Sequence, residues 1–250
     1  MLRKRAIVLV LAVAALQSLG AQDFEYKWRR VRMDSTWESG ALYSVDSIVA
    51  AHQEQIQPLM EVVIYSSEEI RDRRPESALS NLAADILLYA AGDRPDSGLP
   101  ALSLMNFGGI RSGLPKGGVR IFDVYSAFPF DNTVVVARMR GEDVRRILDK
   151  FASSGKFEAL GGVGITVRDG RMKRCLIGGR ELEDDALYDL VTIDFLLDSG
   201  DRFDIAEDAV SVYRTGIVFR DAAVDYLRRL SSAGVVLENR GDGRVTIEDR

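Results

Sequence analysis

The residue types best suited to chemistry in this sequence fall in short motifs in the middle of the chain. The first, Asn106-Phe107-Gly108-Gly109-Ile110-Arg111, directly follows an apolar run. Paired glycines at the end of such a run predict a sharp turn or a close approach of the backbone to a ligand. The arginine that follows offers five donors in a fixed fork, which suits phosphate oxygens. The motif therefore predicts an anion-binding loop at the end of a strand.

A second motif, Phe128-Pro129-Phe130-Asp131-Asn132, has the residue types that bind a nucleobase. Pro129 fixes its own φ angle and holds the neighbouring ring of Phe130. The amide of Asn132 both donates and accepts hydrogen bonds. A flat ring beside an amide predicts a site for the base of a nucleotide.

The segment from Thr192 to Phe203 completes the set. Phe195 closes a predicted strand, and Asp201 lies in a glycine-aspartate turn where a carboxylate can accept hydrogen bonds from both hydroxyls of a ribose. Two phenylalanines on separate loops can clamp a base, and such stacking contributes roughly 1–3 kcal/mol per base.

Each of these features has a plainer interpretation when it is taken alone. Gly108 and Gly109 also suit an ordinary strand-to-helix turn, and Phe130 and Phe195 also suit a hydrophobic core. Their combination with Arg111, Asn132 and Asp201 favours a nucleotide site.

The elements that must position these residues alternate between helical and strand patterns. Helices are predicted at residues 45–57, 80–92, 141–153 and 221–230, and strands at 59–65, 101–105, 133–139 and 188–195. Asp169-Gly170 predicts a hairpin, and a final strand pair is predicted to turn at residues 241–243. The alternation predicts an α/β (α+β) fold: a single compact domain over residues 45–250, with a mixed β-sheet and packed helices.

Composition and charge exclude some classes of function. The 250 residues are 46% hydrophobic and 28% charged, as in a soluble globular protein, and the net charge is −5. A chain without a basic surplus has no electrostatic footprint for polymeric nucleic acid, so such a partner is not expected.

The amino terminus has the pattern of an export signal. Arg3, Lys4 and Arg5 precede an apolar run over residues 6–16, and small residues follow. We therefore predict a signal peptide over residues 1–21, an extended leader over residues 22–44 with one edge strand at 28–33, and a periplasmic or secreted protein. The apolar run is short for a membrane span, and no cysteine follows to accept a lipid, so no span is expected in the mature protein. An uncleaved anchor is the alternative.

Single residues limit the chemistry further. Cys175 is the one cysteine, so no intrachain disulfide can form, and His52 is the one histidine. Dimetal centres, zinc sites and Ser-His-Asp triads normally use histidines, because neutral imidazole is a ligand and a base near pH 7. No catalytic or metal residue is therefore predicted on this chain, and His52 is expected to pack half-buried on the first helix.

In this order, the segments resemble the carboxy-terminal substrate-binding domain of the 5′-nucleotidase family. The likeness spans residues 45–250 and includes the stretch Glu76–Asp85, which opens the second predicted helix. The resemblance implies that Phe130 and Phe195 sandwich the base, that Asn132 hydrogen-bonds to its edge and that Asp201 holds the ribose.

The resemblance also implies which residues face the phosphate of a nucleoside monophosphate or of a related ligand. Asn106 and Arg111 would lie on that side. Arg73 resembles a further phosphate-side arginine of the family, with Arg71 and Arg74 as alternatives because they are so close in sequence.

The sequence departs from the family in one large way. The family's enzymes carry an amino-terminal metallophosphoesterase half with two metals and with Gly-Asn-His and Gly-His-x-His signatures, which this sequence lacks. The resemblance then implies a substrate-binding half that orients a nucleotide for a separately encoded metallophosphoesterase with a divalent metal pair. The alternative is a non-catalytic exported nucleotide- or nucleoside-binding protein. Ser199 and Arg202 stand where glycine is usual, so we expect a differently shaped ribose loop.

Overall fold

The computed structural model describes residues 43–92, 94–95, 98–198 and 203–248. The chain divides into two compact units, Met1–Ala51 and His52–Arg250. In the first unit the described residues are helical, and the second unit contains the three sheets. The predicted signal peptide, nearly all of the leader, and Asp201 lie outside the described residues.

Helices and strands alternate along the described residues, as the sequence pattern predicts. The helices are α1 (Tyr43–Ile56), α2 (Ala78–Ala90), α3 (Ile121–Ala127), α4 (Gly141–Ser154), α5 (Asp194–Leu197), α6 (Ile205–Asp208) and α7 (Phe219–Ser232). The strands are β1 (Val62–Ser66), β2 (Ala101–Met105), β3 (Gly117–Arg120), β4 (Thr133–Arg140), β5 (Ala159–Gly161), β6 (Val163–Arg168), β7 (Arg171–Ile177), β8 (Arg180–Glu181), β9 (Leu187–Ile193), β10 (Ser211–Val218) and β11 (Val245–Glu248).

The central sheet has five strands in the order β10-β4-β9-β2-β5. Strands β2 and β9 run parallel, and the other neighbours in this sheet are antiparallel. A four-stranded sheet has the order β11-β6-β7-β8, and β1 pairs with β3. The predicted α/β (α+β) fold with mixed sheets and packed helices is therefore confirmed.

Helix α2 lies close to the central sheet because small residues line the contact. It packs against β2, β5 and α7, and most of its side chains are buried. The Ser103 hydroxyl on β2 donates to the Ala84 carbonyl of the helix at 2.7 Å. A Cβ at Gly161 would collide with the Ser103 hydroxyl and with Ala84. The glycine therefore permits the close approach of helix and sheet.

Several sequence predictions are confirmed in detail. Strand β2 occupies the predicted residues, and the helix predicted at residues 141–153 is α4, with Val144, Ile147, Leu148 and Phe151 buried. Asp169 and Gly170 both have positive φ, at 53° and 67°, which is the conformation of a two-residue type I′ turn between β6 and β7.

Other predictions are wrong at their boundaries. Residues Gln57–Met60 form a 3₁₀ turn, so β1 starts later than predicted. Asp194 and Phe195 open the short helix α5 instead of closing β9. One prediction about burial is also wrong, because His52 is exposed and not half-buried.

The predicted final strand pair is also wrong, because residues 241–243 form a loop that leads into β11. The Glu76 carboxylate accepts hydrogen bonds from the backbone amides of Asp242, Gly243 and Val245 at 2.8 to 3.1 Å. Arg244 forms a bidentate ion pair with Asp85, both contacts at 2.8 Å. The stretch Glu76–Asp85 therefore anchors the carboxy-terminal segment, which pairs with β6 instead of forming its own hairpin.

Cys175 is buried on β7, and burial raises the pKa of its thiol to about 11.

No helix within the described ranges is long and apolar enough to cross a membrane.

Candidate functional site

The register of the central sheet brings three strand ends to one edge. Strands β2 and β9 run parallel, so their carboxyl ends lie at the same edge. Strand β4 runs antiparallel to β9, and Val134 pairs with Ile193, so β4 begins where β9 ends. The Asn106 loop, the Phe130 segment and Phe195 therefore emerge side by side.

A cavity of about 370 Å³ lies at this edge of the sheet. Its lining residues are Asn106, Gly108, Gly109, Arg111, Phe130, Asn132 and Phe195. The structure thus brings together five of the seven residues that the sequence analysis selected. Their roles in binding stay predictions.

The loop after β2 forms a 3₁₀ turn over Phe107–Gly109. Neither Gly108 nor Gly109 has a positive φ angle, so the glycines do not serve an unusual backbone conformation. They provide space instead. A Cβ at Gly108 would lie 3.2 Å from the side-chain nitrogen of Asn106, and a Cβ at Gly109 would lie 3.1 Å from its side-chain oxygen. Glycine therefore leaves room for the Asn106 side chain to lie against the turn.

Asn106 is 7% exposed, and its buried Oδ1 has no hydrogen-bond partner within the described part of the chain. A buried acceptor without a hydrogen-bond partner lowers the stability of the folded protein, because the desolvation of that oxygen is not compensated. A ligand or a water molecule that donates a hydrogen bond would remove this cost.

Arg74 and Glu158 support the same turn from behind. The Glu158 carboxylate accepts a hydrogen bond from the Phe107 amide at 2.6 Å and pairs with Arg74 at 2.7 Å. The Arg74 guanidinium also lies 4.3 Å from the centroid of the Phe107 ring and donates to the Phe157 carbonyl. These contacts hold Phe107 in place and leave the next residues to face the cavity.

The two phenylalanines at the cavity are half-exposed. Phe130 is 40% exposed and Phe195 49% exposed, whereas Phe128, two residues before Phe130, is buried against the edge of Phe219. The alternative that Phe130 and Phe195 are core aromatics is therefore wrong. Exposed rings that face one cavity are an apolar surface available to a ligand.

Arg111 contacts the segment that carries Phe130. Its backbone amide donates to the Ala127 carbonyl at the end of α3, and its guanidinium lies 5.2 Å from the centroid of the Phe130 ring. The Arg111 side chain is exposed and makes no ion pair with any described residue. Its hydrogen-bond donors are therefore available to an anion.

Asp194 links the segments that carry Phe130 and Phe195. One carboxylate oxygen accepts a hydrogen bond from the Thr133 hydroxyl at 2.7 Å, and the other accepts one from the Phe195 amide at 2.8 Å. The start of β4 and the end of β9 are thereby fixed to each other beyond their strand pairing.

The three neighbouring arginines before α2 differ in their contacts. Arg71 pairs with Glu69, and Arg74 is held by Glu158 and Phe107. Arg73 is exposed, forms no hydrogen bond or ion pair with the described residues, and does not line the cavity. Its predicted phosphate contact therefore stays a prediction.

The family model of the 5′-nucleotidase carboxy-terminal domain matches residues 58–208, more than half of the chain. The chain belongs to this family. The 5′-nucleotidase carboxy-terminal domain thus accounts for the fold, and the cavity residues all fall inside the matched range.

Individual relatives agree with this assignment. A 5′-nucleotidase of Vibrio cholerae is 31% identical over 53% of this chain and 25% of its own length. The UshA protein of Escherichia coli is 24% identical over 90% of this chain and 46% of its own length. The chain thus spans less than half the length of these relatives.

Solved structures share the fold. A 5′-nucleotidase precursor from Thermus thermophilus has a TM-score of 0.67 at 24% identity, over 83% of this chain and 43% of its own. The NAD nucleotidase NadN of Haemophilus influenzae has a TM-score of 0.62 at 16% identity, over 91% of this chain and 47% of its own. At these identities the likeness shows the fold alone.

Sequence reasoning missed the residues that support the site. Glu158 lies outside the motifs, and Asp194 lies inside the segment Thr192–Phe203 without a predicted role, because each acts through one backbone amide and one distant side chain. For Arg74 the sequence suggests only an alternative phosphate contact. A single charged residue in the sequence does not indicate that its side chain will fix a loop.

The Glu158 contacts generate a prediction about the Asn106 loop. Glu158→Ala leaves the Phe107 amide without its acceptor and Arg74 without its carboxylate, so we expect a loss of about 1–3 kcal/mol in unfolding free energy. Hydrogen–deuterium exchange over residues 107–111 should become faster. Chemical denaturation and exchange mass spectrometry measure the two effects.

Glu181→Ala is the matched control, because the Glu181 pair with Arg174 is exposed on both sides. We expect a change within about 0.5 kcal/mol for this variant. Parental stability and exchange in Glu158→Ala would show that Glu158 does not hold the turn.

Proposed function

We propose that this chain is the nucleotide-binding half of a 5′-nucleotidase-type phosphohydrolase, in nucleotide catabolism. It binds a nucleoside monophosphate in the cavity at the edge of the central sheet and orients it for a separately encoded metallophosphoesterase. The observation that carries the proposal is the single cavity that holds Arg111 together with Phe130, Asn132 and Phe195.

The base end of the cavity consists of the two half-exposed rings and one amide. Phe130 and Phe195 stack on the base in the proposal, and Asn132 hydrogen-bonds to its edge. Asp201 then holds the ribose, as the family resemblance implies. Stacking tolerates different bases, so we propose the class of nucleoside monophosphates as the substrate and name no particular base.

The phosphate end of the cavity is polar. Arg111 supplies a guanidinium that no described residue neutralises, and Asn106 supplies an amide at the cavity wall. Arg73, exposed and without a hydrogen bond to a described residue, is the proposed second arginine on this side.

The divalent metals are assigned to the partner in this proposal. Among the described residues, no group of three or more histidine, cysteine or carboxylate side chains could hold a metal ion. No step assigned to this chain passes through a metal. Its contribution is orientation, which lowers a barrier by roughly 7–11 kcal/mol when the reacting geometry is well set.

Export is part of the same proposal. The basic residues and apolar run at the amino terminus support a signal peptide, and the chain would then act in the periplasm or outside the cell.

The base clamp is tested by removing one ring at a time. We expect Phe130→Ala and Phe195→Ala each to weaken adenosine binding by roughly 1–3 kcal/mol, because each loses one stacked face. Phe122→Ala is the control, since Phe122 is an equally exposed ring on α3 that does not line the cavity. Calorimetry measures the affinities, and parental affinity in both clamp variants would exclude stacking.

The phosphate end is tested by comparing two ligands on one variant. We expect Arg111→Ala to weaken adenosine monophosphate binding by roughly 1.5–3 kcal/mol, because a charge-assisted contact is lost, while adenosine binding falls much less. A small loss for adenosine is expected from the contact between Arg111 and the Phe130 ring.

The control for this comparison is Arg180→Ala, an exposed arginine on β8 outside the cavity. An equal loss for both ligands together with a lower melting temperature would mean that Arg111 braces the loop and does not contact phosphate.

The proposal that this chain binds the nucleotide while a partner chain supplies the metals is tested by measuring nucleotide hydrolysis. We expect the purified chain to hydrolyse no adenosine monophosphate with Mg²⁺, Mn²⁺, Zn²⁺ or Co²⁺ added, because its one histidine provides no metal centre of the usual kind. A metallophosphoesterase that co-purifies from the native organism should restore turnover, and Phe195→Ala should reduce it.

Metal-dependent turnover that stays with the purified chain would refute the proposal that a partner chain supplies the metals. Tight nucleotide binding with no turnover in any co-purified complex would favour the alternative, a non-catalytic nucleotide- or nucleoside-binding protein.

A further inference from the structure

The segment that carries Phe130 and Asn132 is held from behind by the first residues of α7. The Asp131 carboxylate pairs with the Arg220 guanidinium at 2.5 Å. The Phe219 amide donates to the Asn132 carbonyl at 2.9 Å. Consecutive residues of the cavity segment therefore contact consecutive residues of the helix.

Arg220 is itself fixed by its surroundings. Its guanidinium lies 4.9 Å from the centroid of the Tyr125 ring, and the Tyr125 hydroxyl donates to Asp221 at 3.0 Å. Burial and this hydrogen bond raise the pKa of Tyr125, so the hydroxyl keeps its proton at neutral pH. The Nε of Arg220 is buried and lacks a hydrogen-bond partner among the described residues. Asp131, the Tyr125 ring and the Asp221 carboxylate, which lies 3.9 Å from Nε, thus determine where the guanidinium lies.

We propose that Arg220 is a positioning residue for the base end of the cavity, acting through Asp131 on the Phe130 ring and the Asn132 amide. Arg220 does not line the cavity, so it acts without contact to the ligand. This inference rests on the proposed function, because the ligand it concerns is the base of a nucleotide.

The start of α7 does not depend on this pair for its own stability. Phe219 is buried and packs edge-on against Phe128 at 5.2 Å between ring centroids. Asp131 is 75% exposed, and pairs of this kind contribute little to global stability. Loss of the pair should therefore alter the Phe130 segment more than the fold.

The experiment compares a ligand that has a base with one that lacks it. In Arg220→Gln and Asp131→Asn we expect the affinity for adenosine monophosphate to fall about two- to fivefold, as for a partly exposed ion pair. The affinity for ribose 5-phosphate, which has no base, should stay at the parental value. Arg220→Lys keeps the positive charge and should lose less than Arg220→Gln.

The double variant tests whether the two residues act together. If Arg220 works through Asp131, Arg220→Gln combined with Asp131→Asn should lose no more affinity than the worse single variant. Arg228→Gln is the matched control, because Arg228 lies on the same helix and its pair with Glu61 involves no cavity residue. It should leave both affinities unchanged.

Three results would overturn the proposal: parental affinity for adenosine monophosphate in Arg220→Gln, equal losses for both ligands, or fully additive losses in the double variant. If the parent protein binds no nucleotide, the proposed function fails and exchange in the free protein decides about Arg220. Faster hydrogen–deuterium exchange over residues 128–133 in both single variants, with parental exchange in Arg228→Gln, would support positioning. Unchanged exchange would overturn it.

Discussion

The site depends on the register between β9 and its two neighbours. Val134 on β4 pairs with Ile193 on β9, and Ser103 on β2 pairs with Val191 on β9. The Thr192 hydroxyl donates to the Leu104 carbonyl at 2.8 Å inside the core, which fixes β9 against β2. A slip of one residue would turn each side chain of β9 to the opposite face of the sheet. Because β9 is buried along nearly its whole length, such a slip would be costly, and the three strand ends stay together.

Strand pairing aligns the backbone of the three strands. Charged side chains that do not line the cavity then fix the loops at the strand ends. Glu158 and Asp194 each accept a hydrogen bond from a backbone amide at the start of a turn and a second from a side chain of another segment. Both carboxylates thereby have hydrogen-bond partners within the protein. Among the described residues, by contrast, Asn106 Oδ1 has no hydrogen-bond partner and the Arg111 guanidinium forms no ion pair. A preorganised binding site is expected to have this arrangement, in which hydrogen-bonded supporting carboxylates hold the loops and the cavity side chains keep donors and acceptors for a ligand.

The sequence predicted the cavity residues better than it predicted their supports. Motifs such as Phe128-Pro129-Phe130-Asp131-Asn132 combine several side chains in one short stretch, so their shared location follows from adjacency. The same stretch also shows a limit: Phe128 is buried beside Phe219 of α7 and Phe130 is half-exposed, so a long-range ring contact separates two phenylalanines that the sequence does not distinguish. Long-range pairs such as Arg74 with Glu158 follow from tertiary packing and leave no local pattern. The predicted hairpin at residues 241–243 failed for the same reason, since Glu76 holds that loop from far away in sequence.

The lining of the cavity is chemically mixed. Asn106, Arg111 and Asn132 are polar, and Phe130 and Phe195 are apolar. Arg111 lies over the face of Phe130, so its guanidinium is partly satisfied by the ring while no anion is present. An anion that draws the guanidinium away would expose more of that ring, and a flat group stacked on the ring would compete with the guanidinium for the same surface. A ligand with both an anion and a flat ring satisfies the two residues at once, which neither an inorganic anion nor a free base can do.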